Sequence, residues 1–343
     1  MRIIDSHEHL SYHNPGQLLS QADQFGFEKI AVMAIPMHSS PLNTLESLLM
    51  KKLAPGRVYV YGGMAYFKDA PATTEEHERQ LSLMMEAGCD GWKILETKPS
   101  VYRHIQLPLD GNVFEKAFSM AEREKIPVTW HAGDPATFWS EKTAPEFAVR
   151  HNWLCVGEGF PTLSEMYRQV ESVLIKHPEL RVSMAHLYFT SDDRVHGERL
   201  LDTYENFFMD ITPGSEMYYA FLEDRAGWTE YFKKYQDKIV FGTDMEDDMR
   251  DFVFGSQDVI YNLVCKTLIG NEYFEYAGAK GVGLGLPENV LRKVFAENFE
   301  KRAGSAPKAL DSKGVEKYAE WLMDRLGAED RKQAEKLLNQ YGI

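Results

Sequence analysis

Eight short apolar runs, rich in β-branched residues, recur along the first two-thirds of the chain, and helical patterns separate them. The runs are Ile3–Ile4, Ile30–Pro36, Val58–Met64, Gly91–Leu95, Ile126–Trp130, Arg181–Ala185, Phe207–Ile211 and Ile239–Phe241. Several are apolar almost throughout, as a strand covered on both faces must be, and such strands belong to parallel sheets. The helices between them have readable ends. Thr73 and Glu76 stand at capping-box spacing before Leu81, Met84 and Met85, and Gly88 follows as a stop. Asn112 is placed to cap a helix with the apolar face Val113, Phe114, Ala117, Phe118 and Ala121. Thr162 and Glu165 repeat the capping-box spacing for a helix that closes near Pro178. Strand then helix, eight times over, predicts a (β/α)8 TIM barrel.

Two segments depart from that rhythm. From His131 to Arg181 there are about 50 residues where a strand–helix–strand unit needs roughly 30, and the surplus carries Phe138, Trp139, Trp153 and Phe160. A loop of that length either covers a site or packs as ornament. Gly278–Gly285 is glycine-rich but does not lie between a strand and a helix of one unit, so it reads as a plain loop ending at Pro287. After about residue 306 the chain turns charged and helical. Val315, Ala319, Leu322 and Leu326 form one stripe that must bury against the barrel or another subunit. The expected division is a barrel over 1–305 and a helical C-terminal extension over 306–343, with a homodimer as one use of the stripe.

Composition narrows the partners. A net charge of −14 disfavours binding to a phosphate backbone, so nucleic acid is not expected. The three cysteines, Cys89, Cys155 and Cys265, are far apart and odd in number, which fits a reducing compartment better than a disulfide framework. No apolar run reaches the length of a membrane span, and the first strand begins too early to leave room for a secretory leader. A soluble, cytoplasmic protein acting on a small molecule is the expectation.

The chemistry concentrates where strands end. Asp5-Ser6-His7-Glu8-His9 closes the first run. Residues two apart on a strand project the same way, so His7 and His9 stand side by side, suited to a metal ion, with Asp5 one step deeper. Glu8 points to the opposite face and reads as structural. His131 ends the fifth run, His186 the sixth and Asp244 the eighth. One histidine at such a place is ordinary packing; four histidines and an aspartate at matched positions are not.

The combination resembles the amidohydrolase superfamily, in particular its amidohydrolase-2 branch, over roughly residues 2 to 305. Asp5-Ser6-His7-Glu8-His9 matches the D-x-H-x-H motif of strand one, while Trp130-His131-Ala132-Gly133-Asp134 and Phe241-Gly242-Thr243-Asp244 are like that branch. The resemblance implies one divalent metal, zinc, held by His7, His9, His131 and Asp244. It implies that Asp244 shuttles a proton from metal-bound water to the leaving group, and that His186 orients substrate or holds a second metal. Lys93, on strand four, is where two-metal members carry a carboxylated lysine; it is otherwise a lysine near the barrel mouth paired with an acid or substrate. Trp139, Tyr188 and Arg103 are candidates for a substrate pocket. His13 and His38 are loop histidines near the same rim.

The function this implies is hydrolysis of a C–N, C–O ester or lactone bond in a small organic molecule by metal-activated water. A metal-dependent non-oxidative decarboxylase is the alternative, needing a cation such as Arg103 or Arg150 for a carboxylate. A non-catalytic metal-binding barrel is the third reading.

Overall fold

The computed structural model describes residues 1–68, 72–213, 217–248 and 256–343. Its main sheet has nine strands in the order β8-β7-β6-β5-β4-β3-β2-β1-β9, every pairing parallel. They are β1 (Ile4–His9), β2 (Lys29–Met33), β3 (Val58–Gly63), β4 (Gly91–Thr97), β5 (Val128–Ala132), β6 (Val182–Met184), β7 (Phe207–Asp210), β8 (Ile239–Val240) and β9 (Met245–Glu246). Each of the eight expected runs meets one of β1 to β8. The fold is mixed α/β, a curled parallel sheet of TIM-barrel type.

Alternation along the strands explains the curl. Ile30, Val32, Val58 and Val60 face outward, into the large core shared with the helices. Their neighbours Ala31, Met33, Tyr59 and Tyr61 face inward, in a separate core with Ile4, Phe208 and Val240. Ala296 and Phe299 join that inner core. A strand with both faces buried reads as a continuous apolar run, which is why the runs were visible. The guanidinium of Arg302 also reaches inward, donating to Tyr61 Oη at 3.2 Å and Thr129 Oγ1 at 3.0 Å.

Two backbone bonds tie β1 to the residues joining β8 to β9: Ser6 N–H to Phe241 O, 3.2 Å, and Asp244 N–H to His7 O, 2.8 Å. They bring Asp244 beside the β1 histidines.

The C-terminal stripe is covered by the chain itself. Val315, Ala319 and Leu322 are fully buried, and their helix, Ser312–Met323, packs on the helices Thr74–Ala87 and Asn43–Leu53. These three residues are therefore covered within the chain, while Leu326, the fourth of the stripe, is half-buried. A buried ion pair fastens this region: Lys51 Nζ donates to Asp90 Oδ2 at 2.6 Å, to Gly88 O at 2.6 Å and to Lys308 O at 2.8 Å.

Two local expectations are corrected. The glycine-rich segment is not a plain loop: Ala279–Val282 pairs antiparallel with Tyr273–Tyr276 as a hairpin. Asn112 is the first helical residue and Gly111 the cap. The surplus after β5 builds a small core of its own from Phe138, Ala148 and Cys155, flanked by Trp139, Phe147, Trp153 and Phe160.

Candidate metal centre

His7 and His9 both come from β1, and each ring is held by its inner nitrogen. His7 Nδ1 lies 2.9 Å from Asp210 Oδ2, and His9 Nδ1 lies 2.7 Å from Met33 O. A carboxylate and a carbonyl only accept, so both rings carry their hydrogen on Nδ1 and present a lone pair at Nε2. Those lone pairs meet Asp244 Oδ1, 3.1 Å from His9 Nε2 and 3.5 Å from His7 Nε2. Lone pairs aimed at a carboxylate oxygen repel unless a cation stands among them. One donor atom from each of His7, His9 and Asp244 lies within 4.8 Å of the others. The donor set, two neutral imidazoles and a carboxylate, fits a divalent ion.

The electrostatics agree. Burial, with the nearby charge of Lys93, lowers His7 to about 4, so it is a neutral ligand at pH 7. Burial alone would raise Asp244, yet the imidazoles of His9, His186 and His7 around it hold it well below the carboxylate range. Asp244 has φ 57°, a left-handed conformation that Asp tolerates better than most residues. Asp5 lies behind the pair, accepting from the His7 N–H at 3.0 Å and the Thr243 hydroxyl at 2.5 Å. Glu8 is fully buried, and burial beside Asp5 raises its carboxyl well above the usual range. It is not one of the three donors that converge, His7, His9 and Asp244.

Lys93 stands on the His7 lone pair, with Nζ 2.9 Å from Nε2. Burial, partly offset by Asp244 and Asp210, brings its ammonium down to about 8.

His131 and His186 form a second pair beside the first. His186 Nε2 lies 3.1 Å from His131 Nδ1, and the His186 ring centroid is 5.8 Å from that of His7. His131 is outside the three-donor group in this arrangement, because both its nitrogens are engaged. Its Nε2 lies 3.5 Å from Lys98 Nζ and 3.4 Å from Asp134 Oδ1. His186 begins a left-handed turn with φ of 56°, 53°, 57° and 52° at His186, Leu187, Tyr188 and Phe189. Each such residue costs about 1–2 kcal/mol, so the turn must be held from outside.

That turn corrects Tyr188. Its ring packs outward against Tyr167, His196 and Phe207 and is fully buried. Trp139 packs within the small core after β5 and donates its indole N–H to Pro161 O at 3.0 Å. Arg103 lies over the Phe160 ring, 5.7 Å from its centroid. Arg150 pairs with Glu146 on the surface. None of these contacts reaches the metal group. His13 pairs with Glu46, 2.7 Å away.

Two site residues escaped the sequence reading, Asp210 and Lys98. Asp210 ends β7, much as His131 stands next to last in β5, a positional signal that was available. Lys98 follows Thr97 at the end of β4; its ammonium lies 3.2 Å from Asp134 and 5.4 Å from the Trp153 ring centroid.

Side chains able to hold a metal, at the C-terminal ends of parallel strands in a barrel-like sheet, are the arrangement used by metal-dependent enzymes built on TIM-type barrels. The amidohydrolase family model matches residues 36–300, and the chain belongs to that family as an enzyme of the amidohydrolase type. No protein of curated function matches the sequence. Solved structures share the fold at low identity. A probable 2-pyrone-4,6-dicarboxylic acid hydrolase from Acinetobacter baumannii superposes with a TM-score of 0.53 at 11% identity, over 89% of this chain and 100% of the other. A 4-oxalomesaconate hydratase from Rhodopseudomonas palustris gives 0.53 at 11%, over 88% and 96%. An IDCase from Metarhizium anisopliae gives 0.52 at 14%, over 89% and 97%.

Among the described residues no helix is long and apolar enough to cross a membrane. The three cysteines are free.

Proposed function

We propose that the chain is a metal-dependent hydrolase that cleaves a C–N, C–O ester or lactone bond in a small organic molecule, with one zinc ion. The observation that carries this is the convergence of His7, His9 and Asp244, with both histidines oriented from behind. We assign His131 as a further protein donor. When bound, the ion supplies a coordinated water whose pKa is near neutral. Asp244 would take up a proton at its carboxylate and pass it to the leaving group. His186 orients the scissile group from the adjacent strand end. We read Lys93 as uncarboxylated, so that one ion is held rather than two bridged by a carboxylated lysine. We read β8 and β9 as one strand interrupted at 241–244, which gives eight strand positions, and we place the enzyme in the cytoplasm.

Elemental analysis tests the reading directly: purified protein carries about one zinc per chain. Asp244→Asn abolishes hydrolysis while the circular dichroism spectrum is retained. Protein without metal that gains none from added zinc, or an active Asp244→Asn variant, overturns it. A second reading, decarboxylation, is favoured by Lys98 alone, a cation beside His131 able to seat a carboxylate. Carbon dioxide release from candidate acids separates the two.

A further inference from the structure

The carboxylate of Asp210 receives four donors on two oxygens. Oδ2 accepts from His7 Nδ1 at 2.9 Å. Oδ1 accepts from the backbone N–H of His186 at 2.9 Å, the backbone N–H of Thr212 at 3.2 Å and the Thr212 hydroxyl at 2.5 Å. The residue is 1% exposed, so no water substitutes for these partners at the surface. Its contacts reach two different strand ends, that of β1 and the left-handed turn after β6.

We propose that Asp210 is a positioning residue for both halves of the site: Oδ2 holds His7 with its Nε2 lone pair facing the metal position, and Oδ1 pins the strained turn that carries His186. The inference rests on the metal-centre reading and adds a residue to it.

Only an all-acceptor group serves both halves. Asparagine has one acceptor oxygen and one NH2 group. With the NH2 toward His7, the ring must offer a lone pair at Nδ1 and carry its hydrogen on Nε2, where it blocks a metal. With the NH2 toward His186, three donors face a donor and the turn loses its anchor. Thr212 extends the effect. Its hydroxyl donates to Asp210, so His186 Nδ1, 3.0 Å from that hydroxyl and 3.3 Å from the Thr212 carbonyl, must be the donor there. His186 Nε2 is then an acceptor for His131 Nδ1–H. Asp210 thereby sets the direction of the bond between the two histidines.

The test is nitrogen NMR of the metal-free full-length chain labelled with 15N-histidine, paired with zinc affinity by chelator competition. In the wild type, His7 and His186 carry their hydrogen on Nδ1. In Asp210→Asn, one of these tautomers is lost; where it is that of His7, zinc affinity falls about 10- to 100-fold. Thr212→Val weakens the His186 preference, leaving only the Thr212 carbonyl at 3.3 Å to hold it, and keeps zinc affinity within about twofold of the wild type, since the His7 contact survives. Wild-type His7 protonated on Nε2 overturns the proposal whether or not any variant folds. So does Asp210→Asn with both tautomers and zinc affinity unchanged. A wild type with the expected tautomers, lost in Asp210→Asn, that binds no zinc removes the metal-centre reading instead and leaves Asp210 as the positioning residue.

Discussion

The ammonium of Lys93 donates to Nε2 of His7 across 2.9 Å, on the lone pair a metal ion needs. The direction is fixed from behind, because the His7 hydrogen is spent on Asp210. A lysine and a divalent cation cannot share that nitrogen. Lys93→Met therefore raises zinc affinity at pH 7 by about tenfold or more and leaves the content at about one ion per chain. Isothermal titration of both proteins, with metal content measured in bicarbonate buffer, checks this. Two ions in the wild type and one in the variant would replace the free amine with a bridging carboxylated lysine.

The same lysine sets a pH dependence in the metal-free protein. Its native pKa is brought from 10.5 down to about 8 by burial. Between those values the unfolded state binds more protons than the native state, so stability rises with pH across that window. Below pH 8 the buried ammonium carries the full penalty, about 3 kcal/mol. The stability advantage of Lys93→Met is thus larger at pH 7 than at pH 10.5 by about that amount. Denaturant unfolding at both pH values gives the comparison; an advantage that does not change with pH would assign Lys93 an ordinary ammonium.

The Lys51–Asp90 pair fastens the C-terminal extension to the sheet. Lys308 is held twice, its carbonyl by Lys51 and its N–H by Asp90 Oδ1 at 2.6 Å. Removing one partner leaves the other charge buried and alone. Lys51→Met accordingly costs about 3–5 kcal/mol and exposes the chain near residue 308 to limited proteolysis before the barrel unfolds. Loss of stability with no new cleavage there would limit the pair to supporting the barrel.

What could be read in the sequence follows from which forces act locally. The strands were legible because burial on both faces leaves a continuous apolar run, and the His7–His9 pair because a strand repeats every two residues. Asp210 was passed over although its place at a strand end was a signal, since only the fold sets it against His7. Tyr188 was misplaced for a backbone reason: its left-handed φ turns the ring outward, and no glycine marks the turn. Trp139 was taken toward the site because a surplus of that length after β5 serves either as cover or as packing, and the sequence does not choose between them. The glycine-rich segment looked loop-like because glycine weakens strand propensity, and the hairpin depends on pairing with Tyr273–Tyr276.

Gly242 carries the last prediction, because its bare Cα makes room for the metal group. A methyl group there would come 2.6 Å from Thr212 Cγ2, 3.1 Å from His7 Cβ and 3.2 Å from Ser6 Oγ. Two of these residues belong to the network around Asp210, and neither is the free end of a long flexible chain. Gly242→Ala must displace His7 or Thr212, at about 1–3 kcal/mol for overpacking. The damage falls on ligand geometry, so zinc affinity drops about tenfold or more while the helical signal persists. Gly26→Ala is the control. Gly26 has φ 69° with open space around it, so alanine there costs about 1 kcal/mol through the backbone and leaves zinc binding untouched. Zinc titration of the two variants beside their melting curves separates the effects. If Gly242→Ala melts lower but binds zinc like Gly26→Ala, the space at Gly242 serves packing and not the seating of His7.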